Sequence, residues 1–591
     1  MHISRLLAVP VLLTLATGAS ALAPVNPVPR VLELVPGQAQ TLMYYPDFRQ
    51  LEAKWSRLLA IFGSKDGLLE LKGQTGIDPS HLGSGPLARV SFHVPGQAET
   101  WAWLLPTKDS KAVLQGLHIT QKAGVWSWDA PAPVAKKHLK AAAPTPLFAM
   151  AKAGFLVVAN SEADLAAFRK PTSTLAAELA PYSAWLESHD LSVVATQAAV
   201  AEAAQAASQA FQPKAVEPKA GAATPPPSKA GARLQSKFSH WADLARTSVH
   251  HALFGLDLSK EGGLTFQAQA LLTKDSDLSR ELTALPPVVG HPLNGLSTPD
   301  FALAFGGEWS MLYDFQTALL EDLDKAGKVQ PATAARLQKA LATQTAMVRS
   351  MAGTFSAPAP RTALLSGLTS IVRVSDSQAY LAAMEETSRA QGAFFQDLGM
   401  PDAVTFTRGI LPEVPSCGVT TRLAMKDDPA MAAAKMAVTM LLGGESIEMS
   451  MGALDDHRIL AVMGGRELLK ARLDDLRKAP QGLAPSIAAV EPDLGKDHRF
   501  VLFVDPRGLR DMASVLAGAF GGPDAKPLPA IPEVPAAGLT LSLDPAMVEL
   551  RGAVRAETLK ATATLFKAIG AMMPTRKGTN PGPDQEPGPG K

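Results

Sequence analysis

Cysteine is nearly absent: Cys417 is the only one in 591 residues. An internal disulfide is excluded, so even in an oxidising compartment this chain is held together by burial alone. Charge of one sign is lacking too, with 56 Lys and Arg against 55 Asp and Glu and no basic block. A balanced chain offers no phosphate-neutralising patch, so nucleic acid is not an expected partner. Beyond the first two dozen residues no run reaches eighteen uncharged apolar residues. The richest, 431–442, is interrupted by Lys435, so no transmembrane segment is expected there. Also missing are a Gly-Lys-Ser/Thr phosphate loop, a Gly-x-Ser-x-Gly elbow, a His-Glu-x-x-His pair and a cysteine pair. No cofactor and no metal are therefore expected.

What is present begins at the N-terminus. Arg5 supplies a positive start, Leu6 to Thr17 an uncharged and mostly apolar run, and Ala19-Ser20-Ala21 a small-residue cleavage pattern. Together they read as a signal peptide over 1–21. The apolar run is too short to span a bilayer. No cysteine lies near the cleavage point for lipid attachment. The expected product is a periplasmic or secreted protein of about 570 residues, long enough to bury a large core.

Residues 213–232 are mostly Pro, Ala, Gly and Lys, with Val216 as the one large apolar residue. Such a stretch buries too little surface to offset its ordering entropy. The tail 574–591 has the same character. The sequence thus divides into an N-terminal α+β lobe over 24–193, an Ala-rich segment and linker over 194–232, and a C-terminal α+β repeat lobe over 233–573.

Within these lobes a strand-like run repeatedly ends in Asp, Ser or Gly, and a helical pattern starts at once. Examples are 101–115, 268–282, 371–384, 422–436 and 501–516, with Thr-Lys-Asp-Ser identical at 107–110 and 273–276. The polar residue accepts the unpaired N–H groups of the first helical turn and sets a negative group at its positive end. Asp456-His457-Arg458 and Asp497-His498-Arg499 each lead into an apolar strand. Segments 255–278 and 538–559 both read as a β-hairpin followed by a helix. These echoes predict duplicated β-hairpin–helix units. The fold class expected is α+β, with repeated units forming mainly antiparallel sheets, covered by helices on one side, in two lobes.

GFLVVANSEADLAAF (154–168) and LLPTKDSKAVLQGL (104–117) resemble bacterial exported proteins catalogued only as a domain of unknown function. That family similarly carries a P-x-K-D strand-to-helix step and a hairpin ending before a helix. The resemblance covers most of 30–190 and parts of 255–573. It implies a cell-envelope location and transfers no activity and no site residue.

Four constellations are candidates for chemistry. His240, Asp243, Thr247 and His251 share one stripe of a helix predicted over 233–254. The two imidazoles stand about 16 Å apart along its axis, too far to share a zinc ion, so a solvated polar face is the favoured reading. Met425, Met431, Met436, Met440, Met449 and Met451 are soft enough for Cu(I), but adaptable core filling suits them better. Cys417 lacks a nearby base to make it a nucleophile. Trp101 and Trp103 alternate on one strand, and Trp126 and Trp128 on another, so each pair shares a face. They are the candidate ligand-binding residues, as a platform for sugar rings or an apolar ligand; packing inside a sheet is the competing and preferred reading.

The function expected is a non-catalytic exported envelope protein, a binding or scaffolding module for another protein, a polymer or a lipid. The alternatives are a hydrolase whose site is assembled from sequence-distant residues, and a carrier of an apolar ligand.

Overall fold

The computed structural model describes residues 29–572 except 64–70, 93–99, 131–144, 211–228, 286–289, 297–299, 309, 325, 359–361, 423–438, 440, 442–443, 479–481 and 522–526. The segment read as a signal peptide, most of the 213–232 segment, the tail and all but Arg422 of the repeat at 422–436 fall outside the described residues.

Twenty strands form one sheet. The first ten are β1 (Thr41–Tyr45), β2 (Leu87–Phe92), β3 (Thr100–Pro106), β4 (Thr120–Lys122) and β5 (Val125–Asp129), then β6 (Pro146–Lys152), β7 (Phe155–Ala159), β8 (Leu191–Thr196), β9 (Val249–Leu258) and β10 (Leu264–Leu272). The second ten are β11 (Leu303–Gly307), β12 (Val348–Phe355), β13 (Leu368–Val374), β14 (Val404–Arg408) and β15 (Ser416–Arg422), then β16 (Ser446–Ala453), β17 (Arg458–Val462), β18 (His498–Val504), β19 (Ala537–Asp544) and β20 (Met547–Val554). Every pairing is antiparallel. Across the sheet the order of the first half, from its outer edge inward, is β4-β5-β6-β7-β3-β2-β1-β8-β9-β10. The second half, again from its outer edge inward, is β14-β15-β16-β17-β13-β12-β11-β18-β19-β20. The two orders are identical once ten is added to each strand number.

The halves meet where β10 pairs with β20, from Leu264↔Val554 to Leu271↔Met547. Corresponding strands run antiparallel there, which is the relation an approximate two-fold axis through the junction produces. Each half repeats the device internally. Three-stranded meanders β1-β2-β3 and β8-β9-β10 meet at their first strands, as do β11-β12-β13 and β18-β19-β20. The Thr-Lys-Asp-Ser tetrapeptides follow β3 and β10, the third strands of those two meanders. The hairpins at 255–278 and 538–559 supply β9-β10 and β19-β20, the corresponding strands of the two halves. The Asp-His-Arg triplets precede β17 and β18, which are not corresponding strands.

Local chemistry sets the strand-to-helix steps. Asp109 accepts from the backbone N–H of Lys111 and Ala112 at 2.9 and 3.3 Å and starts the helix Ser110–Val113. Asp376 accepts from Ala379 at 2.7 Å at the head of Ser377–Asp397. Ser276 and Asp505 do the same after β10 and β18. Each such cap is worth about 1 kcal/mol.

Helices cover both faces of the first half, not one. In β1, Leu42 and Tyr44 enter one core with the helices Glu162–Arg169 and Ser183–Ser188, through Leu165, Phe168 and Leu186. Met43 and Tyr45 face the other core, with Phe48, Leu51 and Leu58 of the helix Phe48–Ile61. All five residues of β7 are buried as a result, and its sequence is an unbroken apolar run, as burial on two faces requires.

The sheet crosses the region read as a linker. Strand β8 pairs with β9 from Leu191↔Leu256 to Thr196↔His251, although 52 residues of chain separate them. The helix before β9 spans Lys229–Ser248, so it starts inside the predicted linker and stops short of 254. The repeat boundary in the topology lies between β10 and β11.

Candidate functional site

The junction between the halves is where polar side chains converge. Alternation in β10 sends Gln267 and Gln269 to one face, and the register sets Arg551 and Glu549 opposite them. Gln269 donates to Glu549 Oε1 at 3.0 Å, and Arg551 reaches both carboxylate oxygens at 2.9 and 3.1 Å. Gln267 donates to the same oxygen. Glu549 is only 9 % exposed. Burial pushes its carboxyl up, but the hydrogen bonds from Arg551 and Gln269 outweigh it and hold the group below the usual carboxylate range. On the opposite face Ala270 and Val548 are buried among apolar residues. A one-residue slip would drive Glu549 into that apolar layer, so the polar set fixes the register of the junction.

Two imidazole–carboxylate groups flank it, each near the strand that opens the second meander of its half. His189, two residues before β8, lies with Nδ1 2.7 Å from Asp257 Oδ2. Its ring covers Gly255, where an added Cβ would fall 2.4 Å from the imidazole, so only glycine fits. Beside it Lys54 donates to both oxygens of Asp190 at 2.7 and 2.8 Å. In the other half Glu491 Oε1 is 3.2 Å from His291 Nε2 and 3.6 Å from His498 Nε2. His291 Nδ1 accepts from the Leu293 N–H at 3.2 Å, which leaves the ring proton on Nε2, close to Glu491 but not aligned for a hydrogen bond. Burial raises the Glu491 carboxyl, yet the two imidazoles bring it down to about 2. A carboxyl held as low as that of Glu491 carries no proton near neutrality and is poorly matched to general-acid work. The two groups tie β9, β18 and the segment joining the halves to their neighbours.

Glu491→Gln is therefore expected to lower stability at pH 7 by about 1 kcal/mol, since it removes the carboxylate charge from beside two imidazoles without a hydrogen bond to either. The folded-state pKa lies below the ordinary 4.5, so this contribution is complete above about 4.5 and is lost as pH falls toward 2. Denaturant titrations at pH 7 and pH 3 would measure it. An equal gap between wild type and variant at both pH values would contradict the assignment.

The tryptophans lie elsewhere, toward the β4 edge. Trp103, Trp126 and Trp128 are 2 %, 8 % and 6 % exposed and belong to one apolar core; Trp101 is partly buried against it. The Trp128 indole N–H donates to the Thr75 carbonyl at 2.7 Å, and that of Trp103 to Gln74 Oε1 at 3.3 Å. Tyr45 stacks on Trp103 with centroids 6.4 Å apart, and the Arg89 guanidinium sits 6.0 Å from the rings of Trp101 and Trp103. The faces are those the alternation predicts. The helix Phe48–Ile61 and the segment Leu71–Thr75 pack over them, so they present no open platform.

The other candidates are dispersed. His251 lies in β9, not on the helix of His240, and its Nε2 is 2.8 Å from Glu178 Oε1. The remaining stripe keeps only local bonds: Thr247 donates to the Asp243 carbonyl at 3.0 Å. Cys417 lies within β15 and is 1 % exposed; burial pushes its thiol up to about 12, the opposite of an activated nucleophile. Met451 is buried and Met449 packs beside it in the same core; Met425, Met431, Met436 and Met440 lie outside the described residues. Among the described residues no group of three or more His, Cys, Asp and Glu is placed to hold a metal ion. A groove of about 460 Å³ near the β14 edge is lined by Met400, Asp402, Arg422 and Glu445.

The junction residues had a signal in the sequence. In FQAQ (266–269) and VELR (548–551) polar residues recur every second position inside apolar strands. Only the pairing of β10 with β20 shows that the two patterns face each other. No protein-family model, curated protein or solved structure matches the chain.

Proposed function

We propose that this chain is a non-catalytic exported envelope protein, periplasmic or secreted, acting as a binding or scaffolding module for an envelope protein, polymer or lipid. The observation that carries the reading is the duplicated sheet. Nineteen strand-to-strand steps at about 4.8 Å give a path of roughly 90 Å from edge to edge. The convergent polar groups at its centre are bonded to one another across the repeat junction. Such a body offers extended surface and two separate edges. Among the described residues no helix is long and apolar enough to cross a membrane, and the 1–21 pattern with the family resemblance supports the envelope location.

The test is crosslinking in cells of the tagged protein, with N-terminal sequencing of the exported fraction. A mature chain beginning at Leu22 and reproducible capture of one envelope component are expected. Retention of Met1 in that fraction, or hydrolytic activity abolished by a point substitution, would overturn the reading.

A further inference from the structure

The two edges of the sheet differ. Strand β4 has three residues, all exposed, and ends in Lys122, which is how proteins blunt an edge against further pairing. Strand β14 is longer and one-sided. Val404 and Phe406 pack on the core beneath the helix Ser377–Asp397, while Thr405 and Thr407 are exposed. Its hydrogen-bond phase is fixed at both ends: Gly409 N–H donates to the Ser416 carbonyl and Arg422 N–H to the Ala403 carbonyl, each at 2.7 Å. Bonded pairs therefore fall at 403, 405, 407 and 409, and the N–H and C=O groups of Val404, Phe406 and Arg408 point off the edge. No described strand pairs with them. The charge that would guard this edge is drawn aside, because Arg408 is bonded to Glu385 on the covering helix.

We infer that β14 is the dimerisation edge, pairing antiparallel with β14 of a second copy about a two-fold axis at Phe406. The molecule supplies the precedent: β1–β8, β11–β18 and β10–β20 each join corresponding strands in this manner. The chemistry of the edge suits itself. In that register Phe406 meets Phe406, Thr405 meets Thr407, and Arg408 lies opposite Val404, so no like charges face each other. The sheet would continue from one copy into the next. This inference does not depend on the envelope reading.

The mature full-length chain in analytical ultracentrifugation should show reversible, concentration-dependent dimers. The double variant Thr405→Lys with Thr407→Lys, exposed on the monomer, should keep its thermal unfolding curve and weaken dimerisation by roughly tenfold, since it sets two lysine pairs face to face. Register is read by cysteine trapping. Thr405→Cys mixed with Thr407→Cys should give a disulfide-linked dimer, whereas either variant alone should not. A monomer at every concentration, or dimers unaffected by the lysines and not trapped by the cysteines, would overturn the inference. So would a monomer that pairs this edge only with an added peptide.

Discussion

Trp103→Ala and Trp128→Ala are each expected to lower the stability of the protein by about 3–5 kcal/mol, the range for truncating a buried aromatic. Both rings are nearly inaccessible and belong to the core beneath the helix Phe48–Ile61. Trp128→Ala also strands the Thr75 carbonyl that its indole N–H satisfies. Trp128→Phe separates the two effects: it keeps an aromatic ring and loses the hydrogen bond, for an expected cost of about 1 kcal/mol. Trp101→Ala should cost about 1 kcal/mol, because that ring is only partly buried. Urea unfolding followed by circular dichroism would rank the four variants. Equal losses at Trp101 and Trp103 would show that the helical cover does not distinguish them. A Trp103→Ala protein with an unshifted midpoint would place the ring outside the core.

Glu549→Leu should destabilise the protein by about 3 kcal/mol, the lower end for removing one partner of a buried ion pair. The leucine leaves the donors of Gln267, Gln269 and Arg551 facing an apolar group at the junction. Because this pairing joins the halves, calorimetry is expected to show one transition for the parent and two for the variant. The folded-state pKa of Glu549 lies below its unfolded value. Its contribution is thus fully present above the unfolded pKa and fades as pH falls through the folded one. The gap between parent and variant should narrow on acidification. A single, equally stable transition in the variant at pH 7 would mean that the polar set does not hold the halves together.

The strand-to-helix steps were legible residue by residue. Asp109, Ser276, Asp376 and Asp505 cap helices because a short acceptor after a strand is a local arrangement, and local arrangements are written in adjacent residues. The hairpin echo between 255–278 and 538–559 likewise pointed to strands that correspond in the two halves. The helix bearing His240 ends at Ser248, six residues before the predicted 254, and His251 fits the helical stripe as well as the alternation of β9. Strand pairing, a non-local interaction, decided between the two periods.

The sequence by itself determined most kinds of element, the caps that start the helices, that each of the two tryptophan pairs shares a face and the dependence on burial in place of disulfides. Tertiary structure alone decided which strands are neighbours, that one sheet passes from β8 to β9 across a predicted linker, and that two ten-stranded halves meet at β10 and β20. It also decided what covers each face, and hence that Trp103 and Trp128 are core. The physical reason is range. Caps and alternation act over two to four residues, whereas Glu549 finds Gln269 across 280 residues of chain, through a register that only the assembled sheet defines.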